Sequence, residues 1–374
     1  MVKDIHGGDI WKAAKQVSKP LEGIIDFSAS INPLGPPASA IKAIEEGLRF
    51  IPPYPDPSAS ALKEALAFHH GISADSILPA NGSTELIYMI PRLMRPGRAL
   101  IMEPAFSEYK KALALAGWEA ESFVLDKNDG FRLDLKKLGK RLSKGFGLVF
   151  MANPANPTGV LYSEEETLAF LKLARLSGAL AVLDEAFIDF SGGSVMREAI
   201  RAGNAIVLRS MTKFHALAGL RLGYAAADRR LLSRLERLKP PWSVNTLSSI
   251  AGAACLADAQ YRKRTAKWLS TERDALSEGI ASVKGLTPFP SSANYLMVRI
   301  SKPRLDARAL ASRLLQDGIL IRDLSAFTGL GPEFFRVAVL GRDSNRLLVD
   351  SLREALGKTG AKERGKRKRG ERTA

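Results

Sequence analysis

The sequence predicts an α/β protein, with a large domain on a mainly parallel sheet flanked by helices and a smaller α+β domain after it. From about Leu62 to Ala227, short apolar runs alternate with helical stretches, the pattern of a parallel sheet covered on both faces. After Pro240-Pro241 that alternation stops, and long helical segments mix with isolated strands. Polar residues fall where apolar runs end, at Asn153, Asp184 and Ser210. Open α/β sheets place their ligands at such strand ends.

The elements follow in order. Residues 1–50, rich in Pro and Gly, are expected to form an arm packed with the smaller domain. Within a large domain over 51–245, Ala99–Met102, Leu148–Met151, Ala179–Leu183 and Ala205–Leu208 read as buried strands. Ser163 with Glu166 three residues on makes a capping box, which opens a helix to Leu176. The smaller domain, 246–356, begins with a helical region from Leu247 to Ser282. It continues with a strand Tyr295–Ile300, a helix Ala307–Gln316, strands Gly318–Arg322 and Phe334–Val339, and a closing helix Asn345–Leu356. Residues 357–374 are Gly-punctuated and basic, and are expected to be a disordered tail.

Composition narrows the class. With 374 residues, 46% hydrophobic and 25% charged, the chain suits a globular enzyme. The single Cys255 rules out an internal disulfide and fits a reducing compartment. The first nine residues carry charge and a His-Gly-Gly turn instead of a basic-then-apolar leader, so the cytoplasm is the expected location. The tail holds +6 of the formal +16. It reads as a solvated tail more than as a nucleic-acid or membrane contact. The excess on the body suits an anionic substrate.

The run Ser210-Met211-Thr212-Lys213, with Arg221 eight residues later, is the most informative segment. Ser and Arg around a Lys can hold a phosphate dianion while the amine condenses with an aldehyde, which is what pyridoxal 5'-phosphate requires. A solvated lysine with a pKa near ~10.4 is a poor nucleophile, and a neighbouring cation such as Arg221 helps activate it. Asp184 closes an apolar run, so its carboxylate needs a cationic or hydrogen-bonded partner. A pyridinium nitrogen would be one, although the same residue could simply cap the next turn. Asn156, between prolines, can donate to a phenolate oxygen or serve as a turn former. Asn81-Gly82-Ser83-Thr84 precedes a helical pattern and offers a phosphate site or an ordinary N-cap.

These motifs, in this order, resemble the fold-type I pyridoxal-phosphate-dependent aminotransferase superfamily over nearly the whole chain short of the tail. Asn153-Pro154-Ala155-Asn156-Pro157-Thr158-Gly159, Asp184-Glu185-Ala186-Phe187 and Ser210-x-x-Lys213 with Arg221 carry the likeness. The resemblance implies that Lys213 anchors the cofactor covalently and Asp184 pairs with the pyridine nitrogen. It implies that Asn156 touches the ring 3-oxygen, and that Ser83, Thr84, Ser210 and Arg221 hold the phosphate. Phe106 would stack on the ring. Tyr54, in Pro53-Tyr54-Pro55-Asp56, would reach the phosphate of a neighbouring subunit, which implies a homodimer. Arg336 would pair with the substrate carboxylate.

Phe187 stands where many relatives have Tyr, a departure that points to the histidinol-phosphate aminotransferase branch. Within it, His6-Gly7-Gly8-Asp9 and Asp26 to Pro37 are similar to the threonine-phosphate decarboxylases of cobalamin biosynthesis, with HGGD in place of HGGN. That similarity makes His6, Asn32 and Arg322 candidates for the substrate phosphate, against a structural role in turns or a surface ion pair. Decarboxylation and transamination differ in which bond at Cα is held perpendicular to the cofactor ring, and sequence does not fix that angle.

Two other classes are weighed. Ser210-x-x-Lys213, Ser243-x-Asn245 and Lys358-Thr359-Gly360 reproduce the order of the serine β-lactamase motifs, but the last belongs on a strand beside the nucleophile. A DNA-binding regulator of this fold would carry an added helix-turn-helix, and here only the tail could serve.

Overall fold

The structure, a computed structural model, describes residues 6–370, with side chains described to Gly357. It divides into two units, Ile31–Lys267 and the pair of segments Met1–Ser30 and Trp268–Ala374.

Among the described residues, the larger unit is built on seven strands. Their spatial order is Ile77–Ala80, Gly223–Ala227, Ala205–Ser210, Leu180–Asp184, Leu148–Ala152, Arg98–Glu103 and Glu119–Val124. Gly223–Ala227 runs antiparallel to both neighbours, and the other pairings are parallel. The four strands expected from their apolar runs are present, each within two residues of its expected ends. Both faces are covered: Val182, Ile206 and Leu208 pack with Leu86 and Ile101 on one, and Leu100, Leu183 and Val207 are buried on the other. The capping box at Ser163 and Glu166 forms as expected and opens the helix Glu164–Leu176.

Three strands of the larger unit escape the sequence reading. Glu119–Val124 is a half-buried edge strand with two glutamates, and Gly223–Ala227 is nearly all Gly and Ala, residues with weak β propensity. Ile77–Ala80 contains Pro79 and is only four residues long.

The smaller unit holds a four-stranded antiparallel sheet in the order Arg322–Asp323, Phe334–Ala338, Tyr295–Ile300, Leu286–Pro288. A separate parallel pair joins Ile25–Asp26 to Ile319–Leu320. The expected single strand Gly318–Arg322 is therefore two, divided at Ile321, and each half serves a different sheet.

The boundaries differ from the expected 50/51 and 245/246. The helix Ala38–Gly47 lies against Thr246–Ala257, so closely that a Cβ on Gly47 would stand 3.0 Å from Ile250 Cδ1. That packing places 31–50 and 246–267 in the larger unit. The helical region from Leu247 breaks at Asp258, whose carboxylate accepts from Tyr261 N at 2.8 Å and caps a second helix, Ala259–Ala281. The closing helix spans Arg342–Gly370, past the expected end at Leu356 and into the tail expected to be disordered. Lys, Arg, Glu and Ala favour helix, and that propensity outweighs the scattered glycines. Residues 371–374 of that tail lie outside the described residues.

Candidate active site

In the larger unit the candidate residues gather at the carboxyl ends of the central strands. Asp184 ends its strand almost fully buried. Its carboxylate accepts from Tyr109 Oη at 2.5 Å and from Ala186 N at 3.0 Å. Burial pushes its pKa up, and these two donors with the charge of Lys213 oppose that rise. Lys213 sits half-buried on the one-turn helix Met211–Phe214, which follows directly from the strand that ends at Ser210. Ser210 Oγ lies 2.7 Å from Thr212 Oγ1 and caps that turn.

Ser210, Ser83 and Arg221 converge around two glycines. Gly223 pairs with Ser210 on one side and Ala80 on the other. A Cβ on Gly223 would meet Ser83 N at 2.4 Å, and one on Gly82 would meet Arg221 Nη2 at 2.9 Å. Gly82 has φ +76° and opens the helix Gly82–Met89, which carries Ser83 and Thr84 in its first turn. Arg221 is itself left-handed, with φ 56°. Backbone N–H groups, hydroxyls and a guanidinium in a cradle with no room for a Cβ suit a phosphate. With a buried carboxylate and a lysine nearby, the donor set fits pyridoxal 5'-phosphate.

The NPANPTG loop is fixed by Asn153. Its Nδ2 donates to Tyr162 O and Thr167 Oγ1, and its Oδ1 accepts from Tyr162 N. Asn153 is thus the buried staple of the loop that presents the half-buried Asn156. Phe106 precedes the helix Ser107–Leu115 and meets Tyr109 edge-on, with centroids 5.9 Å apart. Phe187 is buried and supplies no hydroxyl. Tyr54 is 80% exposed and stacks on Trp242 at 4.8 Å.

Asn32 has a different task from the expected one. It is buried, its N donates to Lys213 O at 3.0 Å, and its Nδ2 contacts Phe214 O, Tyr261 Oη and Thr265 Oγ1, each at 2.9 Å. Its Oδ1 accepts from Leu34 N. Both amide hydrogens are engaged, so Asn32 clamps the Lys213 turn and has no donor left for a substrate phosphate.

Sequence reasoning missed Tyr109 and a buried ionic cluster. Arg209, next to Ser210, pairs with Glu185 at 3.3 Å and with Asp189. Charged residues inside otherwise apolar strand ends were the available signal, since buried charges require partners. Burial pushes Asp189 up, but Arg209 beside it wins and holds its pKa below the usual value.

In the smaller unit, Arg336 and Arg322 face each other across the antiparallel ladder. Arg336 is buried, donates from Nη2 to Ser28 O at 3.0 Å and lies 4.8 Å over the Tyr295 ring. Burial lowers its pKa to about 10. Arg322 lies 5.5 Å over Phe327. His6 is exposed at the start of a turn held to Ser28, where Gly8 N donates to Ser28 Oγ at 2.8 Å. A Cβ on Gly7 would fall 2.3 Å from Ser28 O. Asp9, the departure from HGGN, is the N-cap of the helix Ile10–Val17 and accepts from Lys12 N. Asp and Asn serve equally there.

The β-lactamase-like motifs take other roles. Ser243 Oγ donates to Glu85, Asn245 caps the helix Thr246–Ala257, and Lys358-Thr359-Gly360 lies in a helix. Among the described residues no helix is long and apolar enough to cross a membrane, and no cluster of three or more potential metal ligands occurs.

Residues 22–352 match the model of the family "Aminotransferase class I and II". The chain is 37% identical over 354 residues to the threonine-phosphate decarboxylase of Salmonella typhimurium, covering 94% of this chain and 96% of that one. Among solved structures, it is similar to the L-threonine-O-3-phosphate decarboxylase of Porphyromonas gingivalis, with TM-score 0.78 and 26% identity over 88% of this chain and 99% of that one. The histidinol-phosphate aminotransferase of Sinorhizobium meliloti, solved with pyridoxal-5'-phosphate, gives TM-score 0.86 at 25% identity, covering 96% and 97%. The chain belongs to the class I and II aminotransferase family.

Proposed function

We propose that this member of the family is a pyridoxal 5'-phosphate-dependent carboxy-lyase that converts L-threonine O-3-phosphate to (R)-1-amino-2-propanol phosphate in cobalamin biosynthesis. The observation that carries the reading is the Arg322–Arg336 pair. Two guanidiniums side by side on one ladder present paired donors that suit a ligand with two anionic groups on a short skeleton. A carboxylate and a phosphate on one amino acid meet the requirement. The 37% identity to a threonine-phosphate decarboxylase over nearly the full length of both chains supports the same substrate.

When bound, the cofactor accepts the electron pair released at the substrate α-carbon. Lys213 would hold the cofactor, and its amine would return a proton to that carbon. Asp184, as a carboxylate, keeps the proton on the ring nitrogen. Asn156 donates to the ring oxygen without help from Phe187. Ser83, Thr84, Ser210 and Arg221 hold the cofactor phosphate, and Phe106 covers the ring. Arg336 takes the substrate carboxylate, while Arg322 and His6 take the substrate phosphate. Tyr54, exposed as it is, serves a second subunit in a cytoplasmic homodimer.

Histidinol-phosphate aminotransferase is the second reading, supported by the likeness to the Sinorhizobium enzyme. Purified protein incubated with threonine phosphate, and separately with histidinol phosphate plus 2-oxoglutarate, separates the two. Carbon dioxide from the first with no glutamate from the second is expected; the reverse pattern assigns the aminotransferase. Lys213→Ala should lower the rate by about 10⁴-fold or more, the scale set by losing both an anchor and a proton carrier.

A further inference from the structure

We infer that Tyr109 is a positioning residue for the reaction, which holds the Asp184 carboxylate in place toward the cofactor ring nitrogen while it braces Phe106 over the ring. The inference rests on the cofactor reading above and adds a residue to it. Tyr109 lies on the first turn of the helix Ser107–Leu115, three residues after its N-cap Phe106, and the two rings meet. It is 1% exposed. Its hydroxyl donates to Asp184 Oδ2 at 2.5 Å. Its ring stacks on Phe150 at 5.2 Å and takes the edge contact with Phe106. One rigid side chain therefore touches both the residue assigned to the ring face and the residue assigned to the ring nitrogen.

The chemistry requires such a group. A carboxylate as buried as Asp184 tends to take up a proton, and a neutral carboxyl cannot hold a pyridinium by charge. The groups that act on Asp184 are Tyr109, the Ala186 N–H and the charge of Lys213. Lys213 contributes that charge only while its amine is protonated, so once it is linked to the cofactor that help is gone. The Tyr109 hydroxyl and the Ala186 N–H do not depend on the state of Lys213. A phenol that donates to a carboxylate also fixes which oxygen is occupied and leaves Oδ1 free to turn toward a ligand, apart from its bond to Ala186 N. Phe187 makes the contrast sharper: the Asp184-x-x-aromatic segment carries no hydroxyl at that position, and the tyrosine hydroxyl at Asp184 comes from a different helix.

The test compares Tyr109→Phe with the unaltered enzyme, both loaded with pyridoxal 5'-phosphate. Phe keeps the packing against Phe150 and Phe106 and removes only the donor. Cofactor affinity should weaken by roughly tenfold or more, the scale of a lost hydrogen bond to a charged group. The acid limb of the kcat profile should move to higher pH, because Asp184 then protonates more easily, and kcat should fall more than KM rises. Site-directed 3-fluorotyrosine at 109, a stronger donor of nearly the same shape, should shift the acid limb to lower pH and guards against a folding defect in the Phe variant. Unchanged cofactor affinity and an unchanged pH profile in both variants overturn the inference, whatever happens to thermal stability. If the unaltered enzyme binds no cofactor, or borohydride fixes none on Lys213, the cofactor reading itself fails, and that outcome is read independently of Tyr109.

Discussion

The two units hold buried charge in opposite ways. In the larger, Arg209 is enclosed with Glu185 and Asp189, a cation paired with two carboxylates between the strand ends carrying Asp184 and Ser210. In the smaller, Arg336 and Arg322 stand opposite each other on one ladder, over aromatic rings. The first arrangement pairs its charges within the protein and fixes geometry. The second sets two guanidiniums opposite each other, with the Asp26 carboxylate acting on Arg336, an arrangement suited to recognising an anion. Charge sign and pairing, more than the number of charged residues, separate architecture from ligand recognition here.

The strongest way to break this comparison is to leave one side of the closed cluster unpaired. Arg209→Met strands two carboxylates and should cost about 3–5 kcal/mol of stability, read by urea unfolding. Adding Glu185→Gln and Asp189→Asn should recover part of that loss; no recovery would mean that Arg209 matters for packing alone. In the smaller unit, Arg336→Met should leave folding nearly intact but lower kcat/KM by about 2–5 kcal/mol, the scale of removing one partner of a desolvated charge pair. Arg336→Lys should not restore it, because an ammonium lacks the planar fork. A comparable effect of Arg336→Met on stability and on kcat/KM would erase the distinction between the units.

A third test uses a buried carboxyl of the larger unit. Burial pushes Glu103, at the end of the strand that leads to Phe106, up to about 7 from 4.5. The native state then binds this proton more tightly than the unfolded chain does. Its stabilising contribution is full below the unfolded value and is lost as pH rises through the folded one. Stability should therefore fall by about 3 kcal/mol between about pH 4.5 and 7 from this group, and Glu103→Gln should flatten that slope. The smaller unit should show its own pH limit in binding: with Arg336 at about 10, affinity for the substrate carboxylate should decline above that pH. The smallest expected effect is at the cap. Asp9→Ala should cost about 1 kcal/mol and Asp9→Asn close to nothing, as seen in thermal melting, if the HGGD departure is only an exchange of N-caps.

Much of the candidate site was legible because its residues are local in sequence. Asp184, Ser210 and Lys213 sit at the ends of apolar runs whose length and bounds mark them as strands, and each run alone locates its polar residue. The strand Gly223–Ala227 was not legible, because its Gly and Ala have weak β propensity and Gly223 is there to let Ser83 N approach, which is a matter of space. The clamp made by Asn32 was not legible for a related reason. A Gly/Pro-rich turn near the N-terminus says nothing about a partner 182 residues away, and only the fold shows its amide held on Phe214 O.

By itself the sequence determined the fold class, the family and the candidate cofactor residues, since strand periodicity and short motifs are encoded in neighbouring positions. Tertiary structure alone decided where the two units divide, that Asn32 clamps the lysine turn, that Arg322 faces Arg336, and that Tyr109 donates to Asp184. Each of those facts joins residues from separate segments. Which distant groups meet depends on how the elements pack, and no local pattern records it.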